Sequence, residues 1–207
     1  MLRFANCESC ATLIAVDLGR MGLGGAMAQT SRAPAGVDVS KPAPARIYDY
    51  MLRGDNHFDS DVEAAERILS VVPEIQDCAW SNRGFHQRAA KWIAERGVRQ
   101  FIDIGSGLPT VGNTHEVVQK VNPGARVVYK PPVTTERFRA VFDQATEQLH
   151  FRSKDEIARF FDGLELVPPY EGAQPAICYT GVWGAEDPVL ADSEGARWLY
   201  CGVARKP

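Results

Sequence analysis

The stretch Phe101-Ile-Asp-Ile-Gly-Ser-Gly-Leu-Pro-Thr-Val-Gly-Asn-Thr-His-Glu116 constrains the fold of this chain more than any other. A short strand, Phe101 to Ile104, runs into a glycine loop and then into a helix from about Thr114 to Val121. Asn113 or Thr114 can cap that helix, and Asn113 has Glu116 three residues on. This is the build of a nucleotide-cofactor turn, and the fold class it implies is α/β. Gly105 and Gly107 let the backbone turn tightly and come close to a ligand. Asp103 stands at the carboxyl end of the strand, where open α/β sheets place their ligands.

The segment before the strand reads as helical. Pro44 suits a first helical turn, with Ile47, Met51 and Leu52 on one face. Ser60-Asp-Val-Glu63 reads as a capping box for a helix through Val72 that Pro73 ends. A third helix runs from about Asp77 to Arg96, anchored by Trp80, Phe85, Ala89, Trp92 and Ile93 and stopped at Gly97. Past the glycine loop, Arg126 to Tyr129 reads as a second, parallel strand. After Thr135 a helix carries Phe138, Val141, Phe142, Ala145 and Leu149. Ser153-Lys-Asp-Glu156 opens another helix that ends at Gly163. Leu164 to Val167, Ile177 to Gly181 and Trp198 to Val203 read as late strands. Residues 1–43, punctuated by glycine from Gly22 and by proline from Pro34, read as a disordered tail or an extension, and Met27 is an alternative start to Met1.

The bulk numbers narrow the class. The chain has 207 residues, 45% hydrophobic and 24% charged, enough for one globular domain with a real core. A net charge of −3 and a pI near 5.8 argue against a nucleic-acid surface spread over the whole protein. No run of about 18 apolar residues predicts a membrane span. Glu8 and Asp17 interrupt the apolar amino terminus, which argues against a secretory signal. Five scattered cysteines fit reduced thiols in a cytoplasm. Cys7-Glu-Ser-Cys10 is a lone CxxC without the partners that a four-ligand zinc site needs, so no metal is expected.

Three blocks together resemble the S-adenosyl-L-methionine-dependent methyltransferases that open with a helical cofactor lid. The first is Pro44-Ala-Arg-Ile-Tyr-Asp-Tyr-Met-Leu-Arg-Gly-Asp-Asn-His-Phe58, with its Tyr48, Tyr50, Gly54 and Asn56 pattern. The second is Asn82-Arg83 followed by Phe101 to Glu116. The third runs from Glu136 through His150-Phe-Arg-Ser and Glu156 to Pro168 and on to Gly202-Val-Ala-Arg-Lys-Pro207. The resemblance covers about 44–129 and 135–207. It implies a Rossmann-like three-layer methyltransferase fold, with 44–97 as the lid and 98–207 as the core.

One departure is as informative as the match. The family follows its second strand with an acidic residue that takes the ribose hydroxyls, and a carboxylate there can accept both protons. Here Arg126-Val-Val-Tyr129 continues into Lys130-Pro131-Pro132. The chain then passes directly to the late helix, where two or more strand–helix units of roughly 30 residues each are expected. The sequence looks like a family member with an internal deletion after Tyr129. Removing those strands would expose the edge of the Phe101 strand. The late strands are expected to close up against it as a compact remnant.

The resemblance implies that the cofactor S-adenosyl-L-methionine binds through Asp103, Gly105, Ser106 and Gly107, which would wrap the methionine portion. Tyr48, Asn56, Arg83, Thr110 and His115 are further contact candidates, and Asp55 belongs to the same lid region. Arg83 offers a fork for a carboxylate, and Tyr48 a flat face with a hydroxyl. The plainer readings are helix packing for Tyr48, a surface ion pair for Arg83, and a helix-start hydrogen bond for His115. His57, His86 and His150 are candidate bases only by residue type, and Phe138, Phe142, Phe160 and Phe161 fit core packing better than an acceptor pocket. The sequence names no catalytic residue and no methyl acceptor. The expected function is a methyltransferase-like protein, with catalysis impaired by the loss of the central region. A non-enzymatic remnant or interaction module is the alternative. An NAD-binding protein ranks last, because position 110 is threonine where a third glycine would stand and the ribose acid is absent.

Overall fold

A computed structural model describes residues 2–5, 12–15, 37–130 and 152–207. The expected helix after Thr135, His150, Phe138, Phe142 and the Cys7-to-Cys10 motif lie outside those residues.

Three helices precede the nucleotide-type turn. Helix α1 spans Pro44–Met51 with Pro44 in its first turn, as its preset φ favours. Helix α2 spans Asp59–Val71. Its cap is Phe58 rather than Ser60, so the start expected from the Ser60 box shifts by two residues. The reason is Asp61, which is fully buried. Its carboxylate accepts from the Phe58 N–H at 2.9 Å, from the Ala43 N–H at 2.8 Å and from Arg46 Nε at 2.7 Å. Burial alone would raise the Asp61 pKa, but these donors hold it below the usual carboxylate range. One side chain thereby fixes the starts of both α1 and α2. Helix α3 spans Ile75–Glu95 and stops at Gly97, whose φ of 85° suits glycine.

The sheet begins at β3, Gln100–Ile104, with β4, Arg126–Lys130, parallel beside it in the register Asp103 to Tyr129. Helix α4, Thr114–Val121, crosses between them, and at its start the Glu116 carboxylate accepts from the Asn113 N–H at 3.0 Å. Further along the chain, helix α5 spans Lys154–Ala158 with Ser153 as cap. Short strands β5 (Glu165–Leu166) and β6 (Cys178–Tyr179) follow, and then β7 (Tyr200–Arg205). The late strands are shorter than the sequence suggests at β5 and β6, because each pairs with only part of β7.

The expected closure of the late strands onto the Phe101 strand is not what the structure shows. Two strands from the amino-terminal segment, β1 (Leu2–Ala5) and β2 (Thr12–Ala15), lie between β3 and β7. The order across the sheet is β4-β3-β2-β1-β7-β5, with β6 also on β7. Strand β2 pairs antiparallel with β3 from Thr12–Ile104 to Ala15–Phe101. Strand β1 pairs antiparallel with β7 from Leu2–Arg205 to Ala5–Gly202. The physical reason is backbone accounting. Strand β3 has one edge on β4, and the row of peptide groups on its other edge needs partners. The amino-terminal pair supplies them, although no strand was expected in residues 1–43.

Both faces of the sheet carry a core. On one face, Phe85, Ala89, Ile93 and Ala94 of α3 pack with Phe101, Val118, Trp183, Cys201 and Val203. On the other, Ile157, Phe161 and Ile177 pack around Ala204. Val203 and Ala204 are adjacent in β7 and face opposite layers, as strand alternation requires. Trp183 is 1% exposed and meets Phe85 and Trp92 edge-on at 5.8 Å. Arg88 of α3 donates to the carbonyls of Trp183, Thr180 and Gly181 at 2.7, 2.7 and 3.1 Å, which pins the carboxyl-terminal segment to that helix. Among the described residues, no helix is long and apolar enough to cross a membrane.

A chain begun at Met27 lacks β1 and β2, so the free edge of β3 should reappear. Backbone amides of Gln100 to Ile104 are expected to exchange slowly in the full chain and to lose that protection in the shorter one. Equal protection in both would mean that β1 and β2 do not close the sheet.

Candidate functional site

The loop after β3 turns through two glycines in the left-handed region, Gly105 at φ 75° and Gly107 at φ 67°. A side chain there would be strained. A Cβ placed on Gly107 would meet nothing within 4 Å, so the loop presents its backbone to open space. Ser106 between them is half-buried.

Asp103 sits beneath this corner and is 2% exposed. Its Oδ2 accepts from the Thr114 hydroxyl at the start of α4. Thr114 has one proton to give and gives it to Asp103, so the 3.0 Å contact between Thr114 Oγ1 and His86 Nε2 has the imidazole as donor. A relay of His86 to Thr114 to Asp103 results. It leaves His86 Nδ1 and Asp103 Oδ1 buried with no hydrogen-bond partner among the described residues. Burial pushes the Asp103 pKa up, against the lowering by Thr114 and Arg83. Burial, aided by the Arg83 cation, pushes His86 down to about 4. The imidazole is therefore neutral near pH 7. Its 3.8 Å approach to Asp103 is a dipolar contact rather than an ion pair.

The helical segment leans on the same loop. Arg83 is 8% exposed, so it is not a surface ion pair. Its Nη2 donates to Thr110 Oγ1 at 3.4 Å, its guanidinium lies 5.9 Å from the centre of the Tyr48 ring, and its Nε is buried with no hydrogen-bond partner among the described residues. Tyr48 is held by its hydroxyl, which donates to the Ala79 carbonyl at 3.2 Å and accepts from Asn82 Nδ2 at 3.0 Å. Asn56 donates from Nδ2 to the Pro109 carbonyl at 2.8 Å, a direct bridge from the segment after α1 to the glycine loop. Asp49, 1% exposed, sets that bridge by accepting from the Asn56 N–H at 2.8 Å. His57 Nδ1 lies 3.2 Å from the same carboxylate. Gly54 has no side chain because a Cβ would collide with Asp49. Asp55 contributes one oxygen, 3.3 Å from the Asn56 amide.

Thr110 closes the loop on α4: its N–H donates to Asn113 Oδ1 at 3.1 Å and its hydroxyl to the Leu108 carbonyl at 3.0 Å. His115 faces the end of β4. The Tyr129 hydroxyl accepts from the His115 N–H at 3.0 Å and lies 2.6 Å from His115 Nδ1. The oxygen already accepts from the backbone, so its proton is free to go to Nδ1. Burial raises the Tyr129 pKa, which keeps that proton in place. The structure thus gathers Asp103, the glycines, Ser106, Arg83, Thr110, Asn56 and Tyr48 around one corner, with His115 at its side next to Tyr129. Phe161 is core, and Phe160 is half-exposed.

Chemically, the corner offers one bare carboxylate oxygen and one bare guanidinium N–H close to exposed loop backbone. Such a pair suits a zwitterion, with an ammonium for Asp103 and a carboxylate for Arg83. The sequence reading does not name Asp49, and it names Thr114 only as an alternative helix cap, not as a partner of Asp103. A threonine at a helix start and an aspartate inside a helix carry no distinctive local pattern. Only the Asn113–Glu116 cap, which puts Thr114 in the first turn facing back at β3, could have flagged the former.

The sequence model of the S-adenosyl methyltransferase family matches residues 30–133 and 130–207. Two solved structures are similar in fold. A candidate methyltransferase from Thermobifida fusca is 25% identical with a TM-score of 0.70, over 86% of this chain and 99% of that one. A DUF574 family protein from Streptomyces avermitilis is 22% identical with a TM-score of 0.65, over 82% and 99%. No curated protein matches the chain.

The buried imidazole gives a pH signature with a defined sign. The unfolded chain protonates His86 near its ordinary value of 6.5, and the folded chain only at about 4. Stability is full above the higher value and is lost as pH falls through this window, by roughly 3 kcal/mol. The raised pKa of Asp103 acts in the opposite sense, so the comparison needs a variant. Denaturant unfolding at several pH values between these limits should show a shallower acid loss for His86→Gln than for the natural chain. Parallel profiles would mean that His86 is not buried neutral.

Proposed function

Because the chain belongs to the S-adenosyl methyltransferase family, we propose that it binds S-adenosyl-L-methionine by the methionine end at the corner between β3 and α4. The observation that supports this most is the pair of unsatisfied buried atoms, Asp103 Oδ1 and Arg83 Nε. Leaving such atoms unpaired costs about 1–3 kcal/mol each, more for charged groups, and a zwitterionic ligand removes that cost. Asp103 takes the ammonium, Arg83 the carboxylate, and the backbone of Gly105 to Gly107 runs alongside. Helices α1 to α3 act as the lid, with Asn56 on Pro109 and Arg83 on Thr110 as its latches. When bound, the cofactor supplies an electrophilic methyl group on a sulfonium. The chain's own residues position it and limit water on the side of Tyr48.

The ribose end is the weak half of the site. Position 130, directly after Tyr129, is lysine where the resemblance expects a carboxylate. The match to the family comes in two pieces that meet at residues 130–133, which supports a missing middle portion. In this reading the protein is a shortened member that retains cofactor affinity from the methionine end and has lost catalytic efficiency with the central strands. The lysine at 130 also favours a second reading, a non-enzymatic module of the same fold that no longer takes the nucleoside.

Calorimetry separates them. S-adenosylmethionine and its demethylated product should both bind in the micromolar range. Asp103→Asn, which keeps the acceptor for Thr114 but replaces the bare oxygen, should weaken binding by about 10- to 150-fold, the equivalent of one charged hydrogen bond of about 1.5–3 kcal/mol. No heat at millimolar ligand from a cooperatively folded chain would give the second reading the case.

A further inference from the structure

Away from the corner, β6 and β7 place two cysteines opposite each other. Cys178 and Cys201 are direct partners in the antiparallel register, beside Tyr179 and Tyr200. Directly opposed residues have side chains on the same face and Cα atoms about 4.5–5.5 Å apart. That span lies inside the range a disulfide bridges, about 4.4–6.8 Å. Both sulfurs are free thiols. Cys201 is completely buried in the core face, and its Sγ lies 3.6 Å from the Tyr179 carbonyl. Cys178 is half-buried and packs against that same core.

Access to the pair is one-sided. A cleft of about 370 Å³ opens over β6, lined among others by Lys154, Tyr170, Cys178, Tyr179 and Tyr200. Cys178 lines it, and Cys201 does not. The two thiols also differ electrostatically. The neighbouring Cys201 side chain, and then the cations Lys154 and Arg88, hold Cys178 below the ordinary thiol range against its burial. Burial, together with the neighbouring Cys178 side chain, drives Cys201 well above it. An accessible sulfur that ionises more readily is thus backed by a protonated, enclosed one.

We propose that Cys178 and Cys201 are a peroxide-responsive thiol pair that closes to a cross-strand disulfide. The Cys178 thiolate attacks one oxygen of a peroxide such as hydrogen peroxide. A sulfur–oxygen bond forms, the O–O bond breaks, and the departing hydroxide takes the proton that Cys178 released and leaves as water. The sulfur is oxidised by two electrons to a sulfenic acid. The Cys201 sulfur then attacks Cys178. The S–S bond forms, the S–O bond breaks, and the hydroxide leaves as a second water with the proton of Cys201. Two thiols and one peroxide become one disulfide and two waters. The bond staples β6 to β7 beneath the stacked rings of Tyr179 and Tyr200, whose centres are 4.9 Å apart. Thiols kept reduced in ordinary conditions and oxidised transiently fit a sensing role.

The test uses the full chain, natural and with Cys178→Ser or Cys201→Ser, exposed to hydrogen peroxide and mapped by peptide mass without reduction. The natural chain should lose two hydrogens in one linked peptide pair containing Cys178 and Cys201, and dithiothreitol should restore both thiols. Cys201→Ser should stop at a sulfenic acid on Cys178, captured by dimedone. Cys178→Ser should leave Cys201 unlabelled and unoxidised. A link from either residue to Cys7, Cys10 or Cys78, or labelling of Cys201 as readily as Cys178, would overturn the proposal. So would two free thiols in the natural chain after the same exposure.

Discussion

The carboxylate of Asp103 sets the terms for what surrounds it, because it is buried at the end of a strand with only one oxygen satisfied. A charge in that position is tolerated when its hydrogen bonds are made and is costly when they are not. Thr114 answers one oxygen, which fixes the first turn of α4 against β3. His86 answers Thr114, which fixes the middle of α3 over the same point. The other oxygen is buried without a hydrogen-bond partner among the described residues, as is Arg83 Nε, whose cation acts on Asp103. Two opposite charges, each one contact short, can persist together because each lowers the cost of the other, and the proposed ligand would complete both.

Helix α3 carries this arrangement to the rest of the molecule. Its Arg83 and His86 serve the corner, its Phe85, Ala89 and Ile93 pack the core, and its Arg88 clamps the carboxyl-terminal segment. Arg88 lies five positions after Arg83, so one helix serves both the corner and the carboxyl-terminal segment. The sheet beneath it depends on β1 and β2. They occupy the two places between β3 and β7 and satisfy edges that would otherwise be open. A parallel strand needs a crossover connection, whereas an antiparallel pair can enter from one end of the chain. That difference explains how a short amino-terminal segment can fill the two places between β3 and β7.

Legibility in the sequence followed the range of the interactions. Strand β3, the glycine loop and the cap of α4 were readable because each is a local pattern: an apolar run, two glycines, an Asn with Glu three residues on. The three leading helices were readable from apolar spacing, though the start of α2 moved because Asp61 answers Ala43 and Arg46, partners no local window contains. The amino-terminal strands were missed. Four residues in Leu2–Ala5 and four in Thr12–Ala15 are too few to show a period, and their pairing with β7 and β3 is long-range. Asp103, Arg83 and Asn56 were found as candidates. That Asp49 and Thr114 aim them was not legible, since an acid inside a helix and a threonine at its start look like any others. Cys178 and Cys201 are separated in sequence and meet only through strand register.

The central claim is that the corner holds the zwitterionic end of an adenosyl sulfonium. The most direct measurement is a crystal structure of the chain with S-adenosylhomocysteine, the unreactive product. The account predicts the ligand's ammonium within hydrogen-bond distance of Asp103 Oδ1 and its carboxylate at Arg83, with the loop of Gly105 to Gly107 alongside. A ligand seated elsewhere, or a corner in which both atoms stay unpartnered beside bound ligand, would contradict it.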